Sequence, residues 1–284
     1  MTKKVAVIND LSGFGKCSLT AAIAVLSVMG VQPCPVPTAV LTNQTGFKDY
    51  YSCDFSDKLK FYIDMWKKNN AEFDGIYSGY IAHESQVDFI EEFISAFKKS
   101  STKIIVDPVM ADNGKMYDAY THNTCMKIKE LTKKADIITP NLTELCIIAG
   151  EDYNSVIENS VSDNYFEYIE QIAKKAIAHD TMQVAVTSIK KDGYLYNGFF
   201  EKGNSFFAKS NQYGTGFSGT GDIFASIICG SILNGKSTET AVEVATKFLE
   251  EAIAYTVKSP SEPMHGIEFE KFLHKLAIKE DKYE

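Results

Sequence analysis

Three features of the sequence predict an α/β fold, a mainly parallel central sheet with helices on both faces. Short β-type runs alternate with amphipathic helical runs along the chain, the pattern of parallel strands joined by helical crossovers. No internal repeat, low-complexity tract or linker interrupts that alternation, so a single domain over 1–284 is expected. A chain of 284 residues is long enough to bury about three-quarters of its extendable surface around one core.

The elements follow in order. Residues 4–8 form the first predicted strand, and 18–29 carry Leu19, Ala22, Ile23 and Leu26 at helical spacing before Gly30 stops the helix. Residues 36–41 are the second strand; Leu59, Tyr62, Ile63 and Trp66 mark the stripe of the next helix. A strand at 75–78 precedes a helix at 85–97, where Phe89, Phe93 and Phe97 share a face. Next come a strand at 103–106, a helix around Ile128 and Leu131, and a strand at 136–138. A helix from Thr143, a longer one through Ile169, Ala173 and Ile177, and a strand at 183–187 complete this part. Residues 194–208 read as a hairpin, and 222–233 and 241–252 as the closing helices. In such folds ligands sit beyond the carboxyl ends of the strands.

Composition narrows the function. The 29 basic and 37 acidic side chains leave a formal charge of -8, which disfavours a nucleic-acid groove or an anionic membrane face as partner and leaves a small-molecule substrate. The six cysteines, at 17, 34, 53, 125, 146 and 229, form no Cys-x-x-Cys pair and are read as buried thiols of a reducing compartment. Only four apolar residues follow Lys3 and Lys4, too few for a signal peptide, and the apolar stretch 223–233 is too short to cross a bilayer. A cytoplasmic location is expected.

The loop Gly214-Thr215-Gly216-Phe217-Ser218-Gly219-Thr220-Gly221-Asp222 has four glycines in eight residues and runs straight into an apolar helix. Its backbone is free to turn amides inward, and the helix start adds unpaired N–H groups and a positive dipole end, an anion cradle. Asp222 places a negative charge beside that anion. It makes sense as a base for a hydroxyl that attacks a phosphoryl group; the plain alternative is a helix N-cap.

Gly219-Thr220-Gly221-Asp222 followed by Ile223-Phe224-Ala225-Ser226 resembles the signature of the ribokinase superfamily of small-molecule kinases. Further segments resemble its pyridoxal and pyridoxamine kinase branch, bacterial pyridoxamine kinase above all. They are Thr42-Asn43-Gln44-Thr45-Gly46-Phe47, Ser78-Gly79-Tyr80, Asp107-Pro108-Val109-Met110, Thr139-Pro140-Asn141-Leu142-Thr143-Glu144 and Thr187-Ser188, in register over residues 8–233. The resemblance implies a ribokinase-like fold and transfer of the γ-phosphoryl group of ATP to the 5'-hydroxymethyl group of a B6 vitamer. Asp222 would be the base, assisted by the amides of Gly219, Thr220 and Gly221. Asp10, Ser12, Gln44, Thr45 and Tyr80 would bind the vitamer; Asn141, Thr187, Ser188, Gly219 and Gly221 the nucleotide; Asp107, Asp112 and Glu144 would serve Mg2+. A monovalent cation and a homodimer belong to the same expectation.

Asp107 ends an apolar strand, where a carboxylate is costly unless paired with a cation or donors. Glu144 lies three residues after Asn141, so both can face one site at a helix start; the plain alternative for Asn141 and Thr143 is helix capping. Residues 9–16 lack the Walker spacing and are not a phosphate loop of that kind. Asp10 stands where the family often has serine, and Gln44 where it commonly has histidine, which tilts the expectation toward a cationic vitamer, pyridoxamine. Hydroxymethylpyrimidine kinase, a sugar kinase and a non-catalytic nucleotide sensor are the alternatives. A serine hydrolase centred on Ser218 fails because Thr220 stands where the nucleophile elbow needs glycine.

Overall fold

The computed structural model describes residues 1–118, 120–214, 216–259 and 262–278. Thr215 of the glycine loop and positions 279–284 of the expected domain lie outside the described residues. The strands are β1 (Lys4–Ser12), β2 (Gln32–Leu41), β3 (Ser52–Asp54), β4 (Gly75–Ser78), β5 (Lys103–Val106), β6 (Ala111–Asp112), β7 (Lys115–Met116), β8 (Ile137–Ile138), β9 (Gln183–Lys191), β10 (Tyr194–Glu201) and β11 (Asn204–Asn211). The helices are α1 (Ser18–Val28), α2 (Ser56–Lys68), α3 (Ser85–Phe97), α4 (His122–Thr132), α5 (Leu142–Ala149), α6 (Tyr153–Glu158), α7 (Tyr165–Ala176), α8 (Thr220–Leu233) and α9 (Thr238–Thr256).

One sheet of order β11-β10-β9-β8-β5-β4-β1-β2-β3 organises the molecule. Its middle, from β9 to β2, is parallel; β10, β11 and β3 are antiparallel additions. Both faces are covered, as the alternation of strands and helices requires. Ala6, Ile8, Ile76 and Ile104 pack against the helices from α2 to α7, while Val5, Val7, Tyr77 and Ile105 pack against α1 and α8. Within α3 the phenylalanine stripe buries Phe93 fully, with Phe97 4.7 Å from it.

Several boundaries differ from expectation. β1 runs on through Asn9, Asp10 and Leu11 to Ser12, because β2 keeps pairing beside it after an irregularity between Asn9 and Leu11. β2 starts at Gln32 despite Pro33, Pro35 and Pro37. Its antiparallel neighbour β3 pairs only with Ala39, Val40 and Leu41, so the proline-bearing part has a free outer edge that needs no donor. The short elements β3, β6, β7 and α6 carry too few residues to show a period. Of the cysteines, Cys17, Cys125, Cys146 and Cys229 are buried, but Cys53 is exposed on the edge strand β3 and Cys34 is half-buried.

Candidate active site

The carboxyl end of β1 meets the start of α8 through one buried amide. Asn9 donates from Nδ2 to Asp222 Oδ1 at 3.1 Å, and its Oδ1 accepts from the Tyr80 amide at 2.8 Å and the Asp10 amide at 3.0 Å. Gly79 makes room for it: a Cβ there would lie 2.4 Å from Asn9 Nδ2. Sequence reasoning passed over Asn9; the available signal was an amide at the end of a run of buried apolar residues, where it needs partners.

Asp222 is the third residue of α8, and the N-cap is Gly219, so the capping alternative for Asp222 does not hold. Gly219 has φ +80°, and a Cβ on it would stand 1.9 Å from the Lys16 carbonyl oxygen. Thr220 turns its Oγ1 back to the Phe217 carbonyl at 3.0 Å. The amides of Thr220, Gly221 and Asp222 find no acceptor among the described residues, which leaves the first turn of α8 open to an anion. Burial pushes the Asp222 carboxyl up to about 6, with the Asp10 charge acting in the same direction; the Ser18 amide and Asn9 pull against them.

On the other flank of Asn9, Asp10 is buried and accepts from Ser12 Oγ at 2.8 Å. Burial raises its pKa, against hydrogen bonds from Ser18 and Ser12. Tyr80 stacks on Tyr120 with ring centroids 5.8 Å apart, and burial followed by the Asp10 charge pushes its phenol up to about 12. Asp10, Ser12 and Tyr80 therefore share one region. Gln44 bonds elsewhere: Nε2 donates to the Met264 carbonyl at 2.9 Å and Oε1 accepts from the Gly46 amide at 2.7 Å. Thr45 is exposed.

Beyond Asp222 lie the segments after β5 and β8. Asp107 is buried and accepts from Thr139 Oγ1 at 3.0 Å; burial and then the Asp222 charge raise its pKa. Glu144 is raised by burial and then by Asp107. Asn141 and Glu144 form a full capping box on α5, Asn141 Oδ1 accepting from the Glu144 amide at 3.0 Å and Glu144 Oε2 from the Asn141 amide at 2.9 Å. Glu144 Oε1 also accepts from the Met110 amide at 3.0 Å. Asp112 is exposed and bonded to Asn113. Thr187 bridges to Asn141 in parallel fashion, and Ser188, exposed, holds a left-handed φ of +67°.

Asp10, Asp222, Asp107 and Glu144 thus form a chain of acids in which each feels the next, and no lysine among the described residues pairs with any of them. No three histidine, cysteine or acidic side chains gather closely enough among the described residues to cage a metal by themselves. Such unpaired carboxylates suit a hard cation that keeps its waters and takes its other ligands from a phosphate. The arrangement offers a base and an anion cradle flanked by buried acids.

Comparison with known proteins agrees with this chemistry. The phosphomethylpyrimidine kinase family matches residues 14–265. A Bacteroides thetaiotaomicron protein, provisionally named a phosphomethylpyrimidine kinase and crystallised with pyridoxal, is 34% identical with a TM-score of 0.88, over 97% of this chain and 96% of that one. The pyridoxine/pyridoxal/pyridoxamine kinase of Bordetella avium is 24% identical, over 86% of this chain and 82% of its own length. Pyridoxal kinase from Lactobacillus plantarum, 22% identical, shares the fold with a TM-score of 0.86, over 97% of each chain. The chain belongs to the phosphomethylpyrimidine kinase family and has the ribokinase-like fold.

Proposed function

We propose that this protein transfers the γ-phosphoryl group of ATP to the 5'-hydroxymethyl group of a vitamin B6 vitamer. The observation that carries the reading is Asp222, held by Asn9 inside the first turn of α8 beside three amides that find no acceptor among the described residues. Ionised Asp222 takes the proton of the acceptor alcohol, and the amides of Thr220, Gly221 and Asp222 stabilise charge on the transferred group. Mg2+, when bound, neutralises phosphate charge; Asp107, Glu144 and Asn141 are the residues that would hold its water shell. Asn141, Thr187 and Ser188 form the nucleotide side. The same reading implies a cytoplasmic homodimer; among the described residues no helix is long and apolar enough to cross a membrane.

A phosphorylation screen of pyridoxal, pyridoxamine, pyridoxine and hydroxymethylpyrimidine with Mg-ATP tests the proposal. Vitamer-dependent ADP release is expected. The family's description favours hydroxymethylpyrimidine as the second reading, and turnover of that alcohol alone overturns the first.

Asp10 points to the vitamer. A buried carboxylate without a cationic partner is costly, and the exocyclic ammonium of pyridoxamine supplies one where an aldehyde does not. Replacing Asp10 by serine is expected to lower the kcat/KM ratio of pyridoxamine over pyridoxal by about tenfold, the weight of one charge-assisted hydrogen bond. Competition between the two vitamers in one reaction reads the ratio directly; an unchanged ratio discards the assignment.

A further inference from the structure

Gln44 is 8% exposed and sits in a space cleared by two glycines. A Cβ on Gly15 would lie 2.7 Å from its Cγ, and one on Gly46 would lie 2.7 Å from its Nε2. Its backbone amide donates to the Phe14 carbonyl at 2.9 Å, which ties the loop before α1 to the loop after β2. Its side chain reaches a third segment, the turn Pro263–His265, through the Met264 carbonyl. Around these bonds Phe14, Phe47 and His265, one ring from each segment, pack with all three centroid distances at 5.4 Å. The same turn touches the glycine loop. Pro263 accepts from the Ser218 amide at 3.1 Å, immediately before the Gly219 cap. A chain of two hydrogen bonds therefore runs from Gln44 to the entry of the catalytic helix.

We propose that Gln44 is a positioning residue for phosphoryl transfer: it fastens the Pro263–His265 turn so that the Pro263 carbonyl holds Ser218, and with it the amides of α8, in register. The glycines at 15 and 46 have the shape such a wedge requires. Lys16, paired with Glu268 and Glu270 at 3.0 Å each, tethers the same C-terminal segment independently, so loss of the Gln44 bond loosens the turn without detaching it. The kinetic part of this inference rests on the kinase reading above; the structural part does not.

Gln44→Glu isolates the bond. It keeps the acceptor for the Gly46 amide and sets a carboxylate oxygen against the Met264 carbonyl in place of a donor. Gln44→Met fills the same space with neither bond, and serves if the charged variant fails to fold. In either folded variant the Ser218 amide is expected to exchange with solvent about tenfold faster, because opening its bond is easier. kcat for the vitamer falls about tenfold or more while KM for ATP stays within about twofold, since the misplaced amides act in the transition state. A folded variant that keeps parental Ser218 exchange, or that loses only thermal stability with kcat intact, overturns the proposal. Parental protein that phosphorylates no vitamer overturns the function instead, and the exchange measurement still decides the role of Gln44.

Discussion

Asp222→Asn is expected to fold like the parent and to lose about a thousandfold in kcat, the middle of the range for removing a positioned general base. The amide has the same shape and still offers Oδ1 to Asn9 Nδ2, so the link between β1 and α8 survives. What disappears is the ability to accept a proton. The pH dependence follows from the raised pKa. Its native value of about 6, against 3.8 for a solvated aspartate, leaves the base ionised at neutral pH, so parental kcat/KM falls as pH drops through about 6. The stability effect has the opposite sense. A native state that holds its proton more tightly than the unfolded chain loses stability as pH rises from 3.8 to about 6, and that cost is fully present above it. Asparagine removes the cost, so the variant melts no lower than the parent at pH 7 while turning over far more slowly. A thermal melt beside a steady-state assay measures both; near-parental turnover in the folded variant removes Asp222 from the mechanism.

The features most legible in the sequence are those whose cause is local. The glycines of 214–221 announce a backbone that other residue types adopt only at a cost, and Gly214 and Gly219, with φ +64° and +80°, hold it. Asn141 and Glu144 are three apart, the spacing of a capping box, and they form one; the same oxygens satisfy backbone amides, which places the pair at the rim of the acid chain with much of its capacity already used. The longer helices and central strands follow their periods. What escaped depends on partners far along the chain. Asn9 acquires its role from Asp222, 213 positions away, and from Tyr80, 71 away, so nothing within β1 announces it. Gln44 sits in a motif that reads as substrate-facing, but one of its two N–H donors goes to Met264, 220 positions on. A side chain's type can be read locally, whereas its direction is set by packing.

Gly219 and Gly221 look equivalent in the sequence and are expected to separate cleanly on mutation. At Gly219 the left-handed backbone and the Lys16 carbonyl, 1.9 Å from a Cβ, forbid any side chain. Gly219→Ala must push the β1–α1 loop away or unwind the cap, at a cost of about 2 to 4 kcal/mol from backbone strain and overlap. That loss lowers the melting temperature and removes activity together. Gly221 meets nothing within 4 Å and has no left-handed angle. Gly221→Ala therefore keeps the fold and gains up to about 1 kcal/mol of helix propensity. Yet its methyl projects from the open first turn of α8, where the transferred group is expected to lie against the amides. Turnover is expected to fall about a hundredfold, the scale of losing a preorganised donor to developing charge. A protein that is more stable and much less active separates the cradle from the cap, because a purely structural glycine at 221 would leave catalysis unchanged. Melting curves and initial rates on the two alanine variants decide it, and full activity in Gly221→Ala would show that the phosphoryl group approaches α8 from elsewhere.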